Sequence, residues 1–472
     1  MARFQLTQEP LVLNPLKVGQ SIGASLAFLG LERSMPLQHG ARGCTSFNKL
    51  FFMRHFREPI PLQTTAMELT TVVMGADANV VEALQTICER NNPAVIGLTT
   101  TGLSATQGVC LQHSLKAFRE QCPQYAHVAV IPVETCDSQG GLEAGFSLAL
   151  MAILKTLLPA KPYASVPKYK SNKITLLPSP MLTPADVEAV KEWIESYGFN
   201  VICLPDISLS LDGNLLDDGF TTLTQGGTSL SQISEIAECD AVITLGQSLN
   251  HVADWLQAYR AVPQLRLVGL HSLKECDQLN LFLSDLSGKP VTVRQERQRR
   301  QLLDAMVDTQ FRLGVSRLAL GCESDLLFAL ESGLSETGCE LVAAVIPTLP
   351  LDANSSVIKT RVKNFPTDVI TVGDLGVLEH LACQQHAELL ITNSHGLEIS
   401  ERVGIPLLPA GYPLHKHAGA HTTQWIGYAG VRQTLYRIDN LLASGQQTVT
   451  PYRSSFWPQR DLTHSVPTIM SI

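Results

Sequence analysis

Short apolar runs recur along this chain, each stopping at a polar or glycine-bearing loop, and most are followed by a helical pattern. Residues 94–98 run into TTTG and a helix over 107–121, and residues 127–133 (HVAVIPV) run into ETCDSQGG and a helix over 142–158. Strand, polar loop, helix is the unit of a parallel sheet, because parallel neighbours need a long crossover between them. A second series places strands at 173–177, 200–204, 241–245 and 265–270, with helices at 184–197 (opened by Thr183), 229–239 and 249–261. A third places strands at 317–320, 341–346, 369–372 and 388–392, a helix over 397–403, a return strand in GIPLLPAG and a terminal helix over 425–442. The expected fold is α/β: three doubly wound, Rossmann-like parallel-sheet domains over 1–172, 173–293 and 294–472, the first with an N-terminal arm. Residues 159–172, with three prolines and no periodicity, read as a linker, and the helix over 294–312, basic in its first half, as a solvated connector. Ligands of parallel sheets meet the loops beyond the strand C-termini, so TTTG and ETCDSQGG mark a working face. No loop carries G-x-G-x-x-G or G-x-x-x-x-G-K-[ST], so the architecture brings no nucleotide with it.

Composition narrows the functional classes. A net charge of −8 argues against a nucleic-acid partner and toward protein partners. The N-terminus has no apolar leader-like core, and the longest apolar stretch, 145–154, is too short to cross a bilayer, so the expectation is a cytoplasmic protein with no membrane contact. Eleven cysteines include no C-x-x-C or C-x-H pair, which excludes a self-contained zinc or iron-sulfur motif. Because an iron-sulfur cluster needs about four ligands, any cysteine here that binds one must share it with residues from elsewhere or from another chain.

One stretch, from Pro36 to Glu68, prepares a cysteine for that role. Gly40 and Gly43 are expected to let the backbone bend around Cys44, and Thr45 or Ser46 to cap a helix running to about Phe56 with Phe47, Leu50 and Phe51 on its apolar face. No acid falls between Glu32 and Glu58, whereas Arg33, Arg42, Lys49, Arg54 and Arg57 do. A positive helix end among cations suits an anionic cluster.

HGARGC followed by FFMRHFREP resembles the first cluster-ligand segment of the β-type subunits of the nitrogenase family, and IPLLPAGYPLHKH with W-x-G-Y-x-G-V-R resembles that family's closing segment. The resemblance covers nearly the whole chain and implies the three-domain plan of the nitrogenase molybdenum-iron protein. It departs from the catalytic β-subunit, which supplies three cysteines and a serine to an eight-iron cluster. Here only Cys44 is matched: the loop near Thr99 to Ser104 holds no cysteine, and Ser138 stands about where the serine belongs. What it implies is therefore a non-catalytic scaffold member on which the nitrogenase iron-molybdenum cofactor is matured. Cys44 would close a 4Fe-4S cluster shared with an E-type, α-like partner in an α2β2 heterotetramer, the partner holding the cofactor precursor and the nitrogenase iron protein docking transiently. A related electron-transfer subunit, as in dark-operative protochlorophyllide reductase, is the alternative.

His415, His417 and His421 lie close in sequence, but His-x-His alone reads as a structural or solvent-facing segment. Cys88 is expected in the core, from an inward helix face, and Cys136 draws interest through its loop with Ser138. No acid, base or nucleophile constellation is visible, which fits a subunit without independent turnover.

Overall fold

The computed structural model describes residues 3–7, 15–159, 171–215 and 221–445. Its strands, in chain order, are β1 (Arg3–Leu6), β2 (Ser34–His39), β3 (Gln63–Thr64), β4 (Val95–Thr100), β5 (Ala129–Val133), β6 (Lys173–Leu177), β7 (Asn200–Cys203), β8 (Ala241–Leu245), β9 (Gln264–Leu267), β10 (Arg317–Gly321), β11 (Glu340–Ile346), β12 (Val369–Val372), β13 (Leu389–Thr392) and β14 (Leu407–Pro409). They form three sheets in the orders β3-β2-β4-β5, β7-β6-β8-β9 and β1-β12-β11-β10-β13-β14, and every pairing is parallel. Helices cover both faces. In β10, Leu318 and Leu320 feed one core cluster and Ala319 another, and in β4 Val95 and Ile96 divide in the same way. Burial on both faces explains why these strands read as continuous apolar runs rather than as alternating patterns.

The sequence expectation of strand, loop and helix holds, with differences. The helix expected over 107–121 is two helices, Gly102–Gln107 and Leu111–Gln121, broken at Gly108, which adopts a left-handed φ of 72°. The linker expectation at 159–172 falls almost wholly outside the described residues. Arg3–Leu6 does not stay with the first sheet: it pairs with β12 in register Arg3↔Val369 to Leu6↔Val372 and so completes the third. Several helices are additional to those expected from the sequence, Gln20–Leu29 and Leu273–Ser287 among them. Gln20–Leu29 is buried at every position, and Leu273–Ser287 lies beside the second sheet. The first of these packs on Leu142–Leu157 at glycine contacts. A Cβ on Gly23 would lie 1.9 Å from the Leu142 carbonyl oxygen, and one on Gly145 would lie 1.9 Å from that of Gln20.

Buried polar groups join the three sheets' domains at their meeting point. Glu143, on the Leu142–Leu157 helix, accepts the Asp325 backbone N–H at 2.7 Å and the Ser324 hydroxyl at 2.5 Å. Asp325 in turn accepts the hydroxyls of Ser179 (2.8 Å) and Ser248 (2.7 Å) from loops of the second domain. Glu323 completes the acid cluster, and its Oε1 is buried without a hydrogen-bond partner. Burial pushes all three carboxyls toward the protonated form, and their mutual repulsion adds to it; Glu323 is raised to about 8.

Candidate functional site at the C-terminal edge of the first sheet

Side-chain hydroxyls lace the ends of β2, β4 and β5 together. Beyond β4, Thr101 and Ser104 donate to the His39 carbonyl at 3.1 and 2.6 Å, and Gly40 is held so close that a Cβ there would lie 2.3 Å from Thr101 Oγ1. Thr100 donates to the Thr135 carbonyl at 2.8 Å and accepts the Thr135 N–H at 2.7 Å, which binds β5 to β4. The segments bearing Cys44, Thr99 to Ser104 and Cys136 to Ser138 therefore share one sheet edge, as the strand ends required. His39 is buried beneath them, its Nδ1 2.8 Å from Thr65 Oγ1, and desolvation lowers its pKa to about 4.

Cys44 lies inside the helix rather than before it. The helix is Arg42–Phe56, so Cys44 occupies its first turn; Ala41 is the N-cap and provides no side-chain cap. Thr45 and Ser46 do not cap: the Thr45 hydroxyl is buried without a partner, and Ser46 donates back to the Arg42 carbonyl at 2.9 Å. The expected cap failed because the chain enters the helix four or five residues earlier, with Ala41 as N-cap directly after the Gly40 contact. Leaving the first-turn amides without a side-chain partner concentrates positive potential where the exposed Cys44 thiol stands. Gly43, expected to serve a tight bend, has helical backbone and nothing within 4 Å of where its Cβ would be, so the space beside Cys44 is open.

The helix also turns a different face inward than expected. Phe52, His55 and Phe56 are buried, whereas Phe47 is 75 % and Leu50 47 % exposed; Phe51 is half-buried, stacked on Tyr412 at 6.3 Å. Beside it, joined by an Arg42–Glu68 ion pair at 3.7 Å, the short helix Leu69–Met74 buries none of its residues. Leu69, Val73 and Met74 are each more than 80 % exposed. The surroundings of Cys44 thus leave several large apolar side chains uncovered, a character that marks interaction sites.

Across the edge, the Ser138 hydroxyl lies 3.0 Å from Cys136 Sγ, and this hydrogen bond shifts the Cys136 thiol below its ordinary pKa. Between them in sequence, Asp137 turns inward. Its carboxylate accepts the Gln20 N–H at 2.9 Å and lies 2.7 Å from where a Cβ on Gly19 would stand. Ser138 is legible from sequence, but Asp137 is not, because its orientation depends on a helix the sequence did not disclose.

The histidines separate into different settings. His421 is buried, with its Nδ1 unpartnered; His415 packs against His395 with ring centroids 5.1 Å apart; His417 is exposed. Beneath them His55 stacks on Tyr412 at 4.2 Å and accepts the Leu414 N–H at 3.0 Å, and burial lowers its pKa to about 3. Among the described residues no three His, Cys, Asp or Glu side chains converge as a metal site. The donor set around Cys44 fits an iron-sulfur cluster only as one thiol at a positive helix end with open space beside it, the other ligands coming from outside this chain.

No helix among the described residues is long and apolar enough to cross a membrane. Residues 19–443 match the family model described as nitrogenase component 1 type oxidoreductase. The nitrogenase iron-molybdenum cofactor biosynthesis protein NifN of Klebsiella pneumoniae is 38 % identical over 96 % of both chains, and that of Bradyrhizobium diazoefficiens is 36 % identical over 94 % of this chain and 92 % of its own. The solved structure titled "Nitrogenase Cp1 at pH 6.5" superposes with a TM-score of 0.83 at 26 % identity, covering 93 % of this chain and 94 % of that one. A match of this extent to the family model, with the relatives and the shared three-sheet architecture, means that the chain belongs to the nitrogenase component 1 type oxidoreductase family.

Proposed function

We propose that this chain is the β-type subunit of a cytoplasmic scaffold complex for nitrogenase iron-molybdenum cofactor biosynthesis, without turnover of its own. The biosynthetic role follows from its relatives, which are nitrogenase iron-molybdenum cofactor biosynthesis proteins. Cys44 gives one thiolate to a 4Fe-4S cluster, and an E-type, α-like subunit provides the remaining ligands within an α2β2 heterotetramer. The partner holds most of the cofactor precursor, and the iron protein docks transiently. Such a cluster supplies one-electron transfer; this chain's part is to hold one corner of it, offer uncapped amides to its negative charge and exclude water with the apolar surface of Phe47, Leu50, Leu69 and Val73. Ser138, engaged with Cys136, stands as a neighbour of the site rather than a ligand. Domain boundaries near residues 172 and 293 go with this reading.

The observation that carries it is the exposed Cys44 thiol at the helix start, with no three metal-ligating side chains gathered anywhere among the described residues. Counting iron and acid-labile sulfide tests it. The chain purified alone should hold little iron, and the complex co-expressed with its partner should hold about four irons for this cluster per heterodimer, plus any in the precursor. A full 4Fe-4S complement in the isolated chain would refute the shared site.

A further inference from the structure

Basic side chains from three segments meet at the C-terminal edge of the third sheet. His395 follows β13, and His415 lies after β14, their rings 5.1 Å apart at 57°. Arg57 donates to the His415 carbonyl at 2.8 Å, and Arg54 stands one turn earlier on the same helix. The Lys416 N–H donates to Ser394 Oγ at 3.3 Å, which ties the two histidine-bearing loops together. Among the described residues Arg54, Arg57 and Lys416, all exposed, form no ion pair with a carboxylate. One acid, Glu398, acts on His395. Burial, and behind it Arg54 and Lys416, hold both imidazoles below their ordinary pKa, and Arg57 adds to this at His415.

Arg54 and Lys416 act electrostatically on both half-buried imidazoles and Arg57 on that of His415, so the like charges of this cluster oppose one another and a bound anion relieves that repulsion. We propose that Arg54, Arg57, Lys416, His395 and His415 form a binding site for a tetrahedral oxyanion of charge −2. The arginines and lysine supply charge-assisted hydrogen bonds, and the imidazoles supply directed N–H donors once the anion draws a proton onto them. Rings packed 5.1 Å apart keep both imidazoles within reach of one compact group rather than spread along an extended polycarboxylate. The site is independent of the cluster assignment at Cys44.

Equilibrium binding of sulfate, molybdate and citrate to the full-length protein, co-purified with its partner, tests this. Sulfate or molybdate should bind saturably, more tightly as pH falls and more weakly as ionic strength rises. Removing charges in Arg54→Gln, Arg57→Gln and Lys416→Gln should weaken binding roughly tenfold or more per charge. Arg54→Gln and Lys416→Gln should leave the thermal melt unchanged, and Arg57→Gln, which loses its bond to the His415 carbonyl, should lower it only slightly. As a second handle, the pair His395→Gln and His415→Gln should abolish the pH dependence while leaving residual binding. No saturable uptake of either tetrahedral anion, citrate binding alone, or undiminished affinity in the triple variant would each overturn the proposal.

Discussion

The Glu143 carboxylate, on the Leu142–Leu157 helix, accepts the backbone N–H of Asp325, at the start of the Ser324–Leu334 helix, at 2.7 Å in full burial. The contact joins first and third domains through a group that prefers to stay protonated, so pH acts on the junction. Glu323, raised from 4.5 to about 8, keeps its proton in the native state after the unfolded chain has released it. Its contribution is complete below pH 4.5 and is lost as pH rises toward about 8. Buried His39, His55 and His271, lowered to about 4, 3 and 4, act oppositely, since unfolding lets them take up protons below 6.5. The two sets oppose up to about pH 7.5, where the unfolded histidines finish releasing their protons. Only the part carried by Glu323 is isolated by substitution: in urea unfolding, the stability of the wild type minus that of Glu323→Gln should fall by about 1.5 kcal/mol as pH rises from 6.5 to 8. A difference that stays constant with pH would contradict the assignment.

Cys44→Ala should leave folding intact, because an exposed thiol in a first turn packs against little, while altering the electron-paramagnetic-resonance signal of the assembled complex and slowing cofactor maturation. Cys88 is the control: buried on its helix, with a thiol pushed up to about 11 by desolvation, it should lose about 1–2 kcal/mol as Ala and leave the cluster signal unchanged. The reverse pattern would remove Cys44 from the site.

The two glycines near Cys44 should respond in opposite directions. Gly40→Ala drives a methyl into Thr101 and should cost about 1–3 kcal/mol in chemical denaturation. Gly43→Ala meets nothing in this chain and should stabilise the isolated protein by up to about 1 kcal/mol, since it replaces a helical glycine. If a cluster fills that open space in the complex, the same substitution should reduce iron retention.

Val73→Asp, on a helix that buries none of its residues, should leave the melting temperature of the isolated chain within a degree or two and impair assembly with the partner. Co-purification yield and sedimentation report the outcome. Intact assembly would show that this apolar surface faces solvent.

Much of the fold was readable because its strands are covered on both faces: an unbroken apolar run as short as Ala241–Leu245 suits a buried strand and is too brief for a helix. Gln20–Leu29 escaped for the same reason turned around, since a helix buried on every side has no polar stripe to give it a period. The strand at Arg3–Leu6 is short and largely exposed, and only its distant partner makes it a strand. At the site, HGARGC located the cysteine. The inward turn of Asp137, and the meeting of His395 with His415, depend on contacts between segments far apart in the chain and leave no local signature.

The pairing of β1 with β12 also fixes an order of events during synthesis. Arg3 is made long before Val369, so the third sheet lacks its outermost strand until most of the chain has left the ribosome. For that interval β1 has backbone groups to satisfy and no native partner, and once β12 appears its edge stands open until β1 arrives. Closing this pair draws Arg3–Leu6 onto a sheet made hundreds of residues later, a step that must wait until β12 has been synthesised.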